Sequence, residues 1–267
     1  MNGEILSNEE DYAFDVAGYL HVPGVLKPEE VEALNQALDG MGESTGMLGW
    51  STPQRELFRN LLVYPKLVWY LNQIVGHGFR LDQAPRLLGY REDEIGDKLV
   101  GGDEPRNPSQ AYYQQNGRRS SQGIKVIWAL EDVAEDDGGL VMVQASHKSN
   151  VGTPRDLVTG VDEMGLVKQL VLKTGDLFLL AESVLQCVRP WNRDSKRLLT
   201  YWYVGRATIQ SNGPSPGSQI ESLVGWAKEA TPEQKSVMYK PGFKGSNPAP
   251  VLNTDGRKIW VEESSEV

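Results

Sequence analysis

Histidine and cysteine are almost missing from this chain of 267 residues: there are three histidines, His21, His77 and His147, and one cysteine, Cys187. A single cysteine excludes an internal disulfide and suits a reducing compartment. No apolar run approaches the roughly 18 residues of a membrane span. The start MNGEILSNEEDYAF is acidic rather than a basic signal with an apolar centre, so a cytoplasmic location is expected. Basic residues are outnumbered, 27 Lys and Arg against 36 Asp and Glu, and the net charge of -9 argues against nucleic acid or an anionic membrane as partner. The chain also has no glycine-rich phosphate loop, no CxxC pair, no HExxH and no GxSxG, so nothing points to a hydrolase or a nucleotide enzyme. None of the three histidines stands in a His-x-Asp or His-x-Glu triplet.

What is present is a succession of short apolar runs. Tyr19 to Val25 reads as a strand ending at a Pro-Gly turn, and Pro28 then opens an amphipathic helix with Val31, Leu34 and Leu38 on one face. Further helices are predicted after Thr52-Pro53 and from Pro65 to Ile74. Phe79 to Tyr90 contains Pro85 and suits an edge strand or two short strands. Residues 91 to 122 carry almost no apolar pattern and are expected to form a flap over a site. Gly123 to Leu130, GIKVIWAL, is the clearest central strand, and Leu140 to Val143 is expected to pair back on it as a hairpin. Beyond Tyr203 the chain turns loop-rich, with one short helical patch around 220 to 228, and is expected to wrap the outside.

The most informative stretch runs from Gly175 to Tyr203: a Gly-Asp turn, the run Leu177 to Ala181, a polar connection, then the aromatic run from Leu198. The connection holds Glu182, Gln186, Cys187, Arg189, Asn192 and Arg197, which places a polar cluster at the mouth of an apolar sheet. Cys187, beside a strand, reads as a packing residue before a nucleophile. His21 reads as a packed or surface residue and His77, in a Gly-His-Gly turn, as exposed.

Three segments together, DVAGYLHVPGVLKPEEVEALNQAL, the strand-EDV-DDGG-strand-SHKSN middle and the Gly175 to Tyr203 stretch, resemble the phytanoyl-CoA dioxygenase-like family of iron(II)/2-oxoglutarate oxygenases. The resemblance covers roughly residues 10 to 205. It implies one domain over 1 to 267, mainly β with flanking helices, built on a double-stranded β-helix (jelly-roll, cupin-like) core. It also implies that His147 fixes a loop rather than binding metal, and that Arg197 grips the far carboxylate of the oxoacid. The alternative for Arg197 is an ion pair with Glu182 or Asp194. Iron(II) in this superfamily needs two imidazoles and a carboxylate on one face. Here the distal His position is Gln186. The first falls at Val100 by one alignment and near 110 to 112 by another, and neither gives a histidine.

Two functions stand. The first is a diverged member without the iron triad, binding a small carboxylate-bearing molecule or acting as a metal-independent enzyme in biosynthetic small-molecule metabolism. Its site would hold Arg197, Gln186, Asn116, Gln83, Lys125 and Trp128, with no metal ligand and no cofactor. The second is a working 2-oxoglutarate oxygenase that recruits unusual iron ligands such as Asp103 or Glu104. Either reading allows a homodimer or a partner subunit.

Overall fold

The computed structural model describes residues 6–101, 112–115, 118–121, 123–192, 197–205, 229–238 and 250–262. Its core is two antiparallel sheets. The larger takes β1 (Tyr19–Val22), β2 (Arg80–Leu87), β5 (Gly123–Ala129), β8 (Leu177–Ala181) and β10 (Leu198–Val204) in the order β1-β8-β5-β10-β2. The smaller takes β6 (Gly139–Val143), β7 (Val167–Gln169) and β9 (Gln186–Arg189) in the order β7-β6-β9. Two hairpins stand apart, β3 (Tyr112–Gln115) with β4 (Arg118–Ser121) and β11 (Val251–Thr254) with β12 (Ile259–Glu262). This is the expected jelly roll, mostly antiparallel sheet with a few helices.

The expected central strand is β5, the middle of five, and β2 is an edge strand interrupted by bulges near Trp202, as Pro85 requires. Two expectations fail. The Leu140 to Val143 segment does not return onto β5: as β6 it lies in the other sheet, opposite Gln169 and Cys187. The connection EDVAEDDGG is too long for a tight hairpin turn, and it crosses from one sheet to the other. Likewise the stretch between β8 and β10 is not one polar loop, because β9 runs through it and belongs to the smaller sheet.

The helices cover the outer face of the larger sheet. In α2 (Pro28–Met41) Val31, Leu34 and Leu38 are buried as the spacing predicts, and α4 spans Pro65–Ile74. Helix α3 (Gln54–Leu62) receives the hydroxyls of Tyr201 and Tyr203, which donate to the carbonyls of Phe58 at 2.8 Å and Leu62 at 2.9 Å. A first helix, α1 (Asn8–Ala17), forms within the acidic start; Ser7 accepts from the Glu10 amide and Glu10 answers to the Ser7 amide, a capping box. Short helices α5 (Arg155–Val158) and α6 (Pro232–Ser236) complete the set among the described residues. The patch around 220 to 228 lies outside them. No helix of the described residues is long and apolar enough to cross a membrane.

The Gly-Asp turn before β8 ties the first strand to the sheet. Asp176 is buried and accepts from the amides of Gly24 and Lys173, both at 2.9 Å, and from His21 Nε2 at 2.7 Å. Burial opposes its charge, but the two amides and His21 outweigh it and hold the carboxyl below its usual value. The bonds strengthen the folded state while Asp176 is ionised, so their contribution is complete above the unfolded carboxyl pKa and is lost as pH falls through the lower folded value. Asp176→Ala should therefore cost about 3 kcal/mol from pH 5 to 8, with the gap from the parent protein narrowing below about pH 4. Urea midpoints against pH check this, and a gap unchanged at pH 3 would contradict it.

Candidate active site

Strand alternation decides what faces the space between the sheets. On β5, Lys125 and Ile127 point inward while Val126 and Trp128 point to the helices. Lys125 stands opposite Trp202 of β10, so the two side chains share the inner face. Across the gap, β9 contributes Gln186 and Val188 and β6 contributes Leu140. Together they wall a cavity of about 410 Å³.

Its rim comes from the start of the predicted flap. The Gly96 amide donates to the Val188 carbonyl at 2.8 Å, and Val100 forms a two-way bridge with Gln186, its amide donating at 2.8 Å and its carbonyl accepting at 2.9 Å. Gly101, at φ +95°, allows this approach, since a Cβ there would sit 2.5 Å from the Val184 carbonyl oxygen. Val100 and Gln186 are thus neighbours, and both line the cavity. Tyr112, the other position considered for a first metal ligand, is buried elsewhere, its ring against Phe14 and His147; positions 110 and 111 lie outside the described residues.

The charges inside are arranged unevenly. Arg86 pairs with Glu94 at 3.1 Å, bonds Gln83 Oε1 at 3.1 Å, and lies 4.4 Å from the centre of the Trp202 ring. Lys125 Nζ sits 5.5 Å from the same ring and donates to Gln186 Oε1 at 2.5 Å. That partner is a neutral amide, and among the described residues the acids that act on the ammonium, Glu182 and Glu94, do so through space. Burial pushes its pKa down to about 8; Arg86 adds to the effect while Glu182 and Glu94 resist it.

The sequence-predicted residues divide. Lys125 and Gln186 meet in the cavity, and Gln83 stands behind Arg86. Trp128 is not a lining residue: it is fully buried on the opposite face of β5, edge-on to Tyr64. Three positions separate it from Lys125, and an odd number on a strand means opposite faces. Arg197 also turns outward. It precedes Leu198 of the inner-facing set Leu198, Thr200, Trp202, and its guanidinium meets Asp39 and Asn35 of α2. Its partner is neither Glu182 nor, among the described residues, any other acid of the cavity. Asn116 lies outside the described residues, as do Asp103, Glu104 and Asp194. Arg86 and Trp202 were missed, and pairing β10 against β5 with Lys125 inward would have found Trp202.

The remaining histidines and the cysteine are accounted for structurally. His147 is buried and its Nε2 lies 3.0 Å from the Asp15 carbonyl, fixing α1 to the loop after β6; His77 is exposed, 3.0 Å from Asn253 Oδ1. Burial raises the Cys187 thiol, which suits packing rather than nucleophilic attack.

Among solved structures the chain is similar to HygX from Streptomyces hygroscopicus with nickel and 2-oxoglutarate bound, at TM-score 0.62 and 23% identity over 75% of this chain and 87% of that one. It is also similar to SnoN, a non-heme alpha ketoglutarate dependent epimerase from nogalamycin biosynthesis, at TM-score 0.53 and 17% identity over 74% and 80%, and to AviO1 from Streptomyces viridochromogenes Tue57, at 0.55 and 16% over 78% and 99%. The chain has the fold of the iron/2-oxoglutarate oxygenases. No family model and no curated protein matches it.

The oxygenase fold raises the question of iron, and the described donors do not fit it. Where the sequence resemblance aligns imidazoles stand the isopropyl of Val100 and the amide of Gln186, and an ammonium is bonded to that amide. Among the described residues no group of three or more His, Cys, Asp or Glu is placed to hold a metal ion.

Proposed function

We propose that this protein uses the oxygenase cavity without iron, binding a small carboxylate-bearing molecule as a binding protein or metal-independent enzyme of small-molecule biosynthesis. One observation carries the reading: the Lys125 ammonium is bonded to Gln186, the side chain that the sequence resemblance aligns with the distal ligand, which puts a fixed monovalent cation where that alignment would seat a metal. An ammonium whose partner among the described residues is an amide, in a cavity walled by Leu140, Val188 and Trp202, favours an anion, since low dielectric strengthens the attraction and the anion releases a desolvated charge. The neighbours point to the anion's class, because HygX is described with 2-oxoglutarate bound and SnoN as alpha ketoglutarate dependent.

Titration calorimetry with 2-oxoglutarate in chelator tests this. Binding without metal is expected, and Lys125→Met should weaken it about 10- to 100-fold, while Arg197→Ala, on the outer face, leaves it unchanged. The same Lys125→Met change should stabilise the empty fold. The pKa of Lys125 is depressed on folding, so its ammonium opposes the folded state below about pH 8 and the penalty disappears above the unfolded value near 10.5. A gain of about 2–3 kcal/mol at pH 7 is expected, fading by pH 10.5.

The competing function is an oxygenase with non-standard ligands, and HygX with iron bound is the observation in its favour. Stoichiometric iron with turnover of 2-oxoglutarate would establish it and remove the metal-free reading.

A further inference from the structure

We propose that Lys125 forms an imine with a 2-oxo acid held between the sheets, so that the ligand class is carbonyl-bearing carboxylates rather than carboxylates in general. This rests on the reading of the cavity as a carboxylate site. Three features of the geometry carry it. The amine is fixed, because β5 sets its stem between Leu180 and Trp202 and Gln186 Oε1 holds Nζ at 2.5 Å. The amide is itself fixed, since its Nε2 donates to the Val184 carbonyl at 3.3 Å, leaving the oxygen turned to the lysine. Finally, a second cation serves the same wall: Arg86 lies 4.4 Å from the Trp202 ring that Lys125 approaches at 5.5 Å. A 2-oxo acid carries a carbonyl next to a carboxylate, and an amine with a guanidinium lining the same cavity suits the two groups.

The step balances without an oxidant or metal. The neutral Nζ attacks the carbonyl carbon, forming the C–N bond, and the C=O π pair moves to oxygen, which takes a proton. Loss of that oxygen as water, with the nitrogen lone pair forming C=N, gives a protonated imine. The sum is ammonium plus ketone to iminium plus water. The iminium N–H still has Gln186 Oε1 to donate to, and a neutral acceptor, unlike a carboxylate, does not hold the amine in its protonated state beforehand. A pKa of about 8 assists, since at pH 7 the neutral fraction is on the order of a hundredfold above that of an ordinary lysine.

The whole protein incubated with pyruvate, glyoxylate or 2-oxoglutarate and sodium cyanoborohydride, then mapped by peptide mass, gives the test. One reduced adduct on Lys125 is expected, forming about a hundredfold faster than on the exposed Lys173, and absent from Lys125→Arg, which keeps the cation and still binds by calorimetry. Oxo-acid binding with no adduct on Lys125 would overturn the imine and leave the carboxylate reading standing. Labelling of Lys125 and surface lysines at equal rates would overturn it too. Neither binding nor adduct would remove both.

Discussion

Trp128→Ala is expected to lower stability by about 3–5 kcal/mol and to leave the affinity for 2-oxoglutarate unchanged. The indole is fully buried on the helix side of β5, edge-on to Tyr64, next to the layer in which Tyr201 and Tyr203 reach α3. Its removal opens a cavity between the sheet and the helices, where both backbones limit collapse. The site lies on the other face of the same strand. Trp128→Phe separates packing from polarity: Trp128 Nε1 is buried without a hydrogen-bond partner among the described residues, so the shorter ring loses contacts but also relieves a desolvated donor. Its cost should be well under half that of alanine. Urea denaturation and calorimetry on the same samples give both readouts, and a variant that folds stably yet binds weakly would return Trp128 to the site.

That residue shows where the sequence was legible and where it was not. The runs Leu177 to Ala181 and GIKVIWAL are strands because they are short, apolar and bounded by turns, and the helix from Pro65 to Ile74 declares both its ends. Even the missed α1 had its sign in Ser7 and Glu10. Side-chain direction was legible too, through period two: Lys125 inward puts Trp128 outward, and Trp202 inward puts Arg197 outward. What the chain did not show is which sheet a strand joins. Nothing local in Gly139–Val143 distinguishes a hairpin partner of β5 from a member of the second sheet, because that choice is made by long-range pairing with Val167–Gln169 and Gln186–Arg189. The Val100 to Gln186 bridge has the same character.

The bridge supplies the second large effect. Val100→His with Gln186→His should create a two-imidazole site for nickel(II) in a protein expected to bind none, with micromolar affinity on the order of 8 kcal/mol. Directly bridged residues on neighbouring antiparallel strands present their side chains on one face about 5 Å apart, close enough for two imidazoles at metal–nitrogen distances near 2 Å to meet on one ion. Both positions already face the cavity. Lys125 is the obstacle, since a divalent ion beside an ammonium must either be repelled or displace its proton. With a pKa of about 8, releasing that proton at pH 7 costs about one unit, or 1.4 kcal/mol. The two-histidine protein should therefore bind about tenfold more weakly at pH 7 than the same protein with Lys125→Met, and the two should converge by pH 9 as the lysine empties by itself. Nickel titrations at the two pH values read this directly. Equal affinities at pH 7 would mean that the ammonium does not stand where a metal would, and the reading of Lys125 as its replacement would fall with that result.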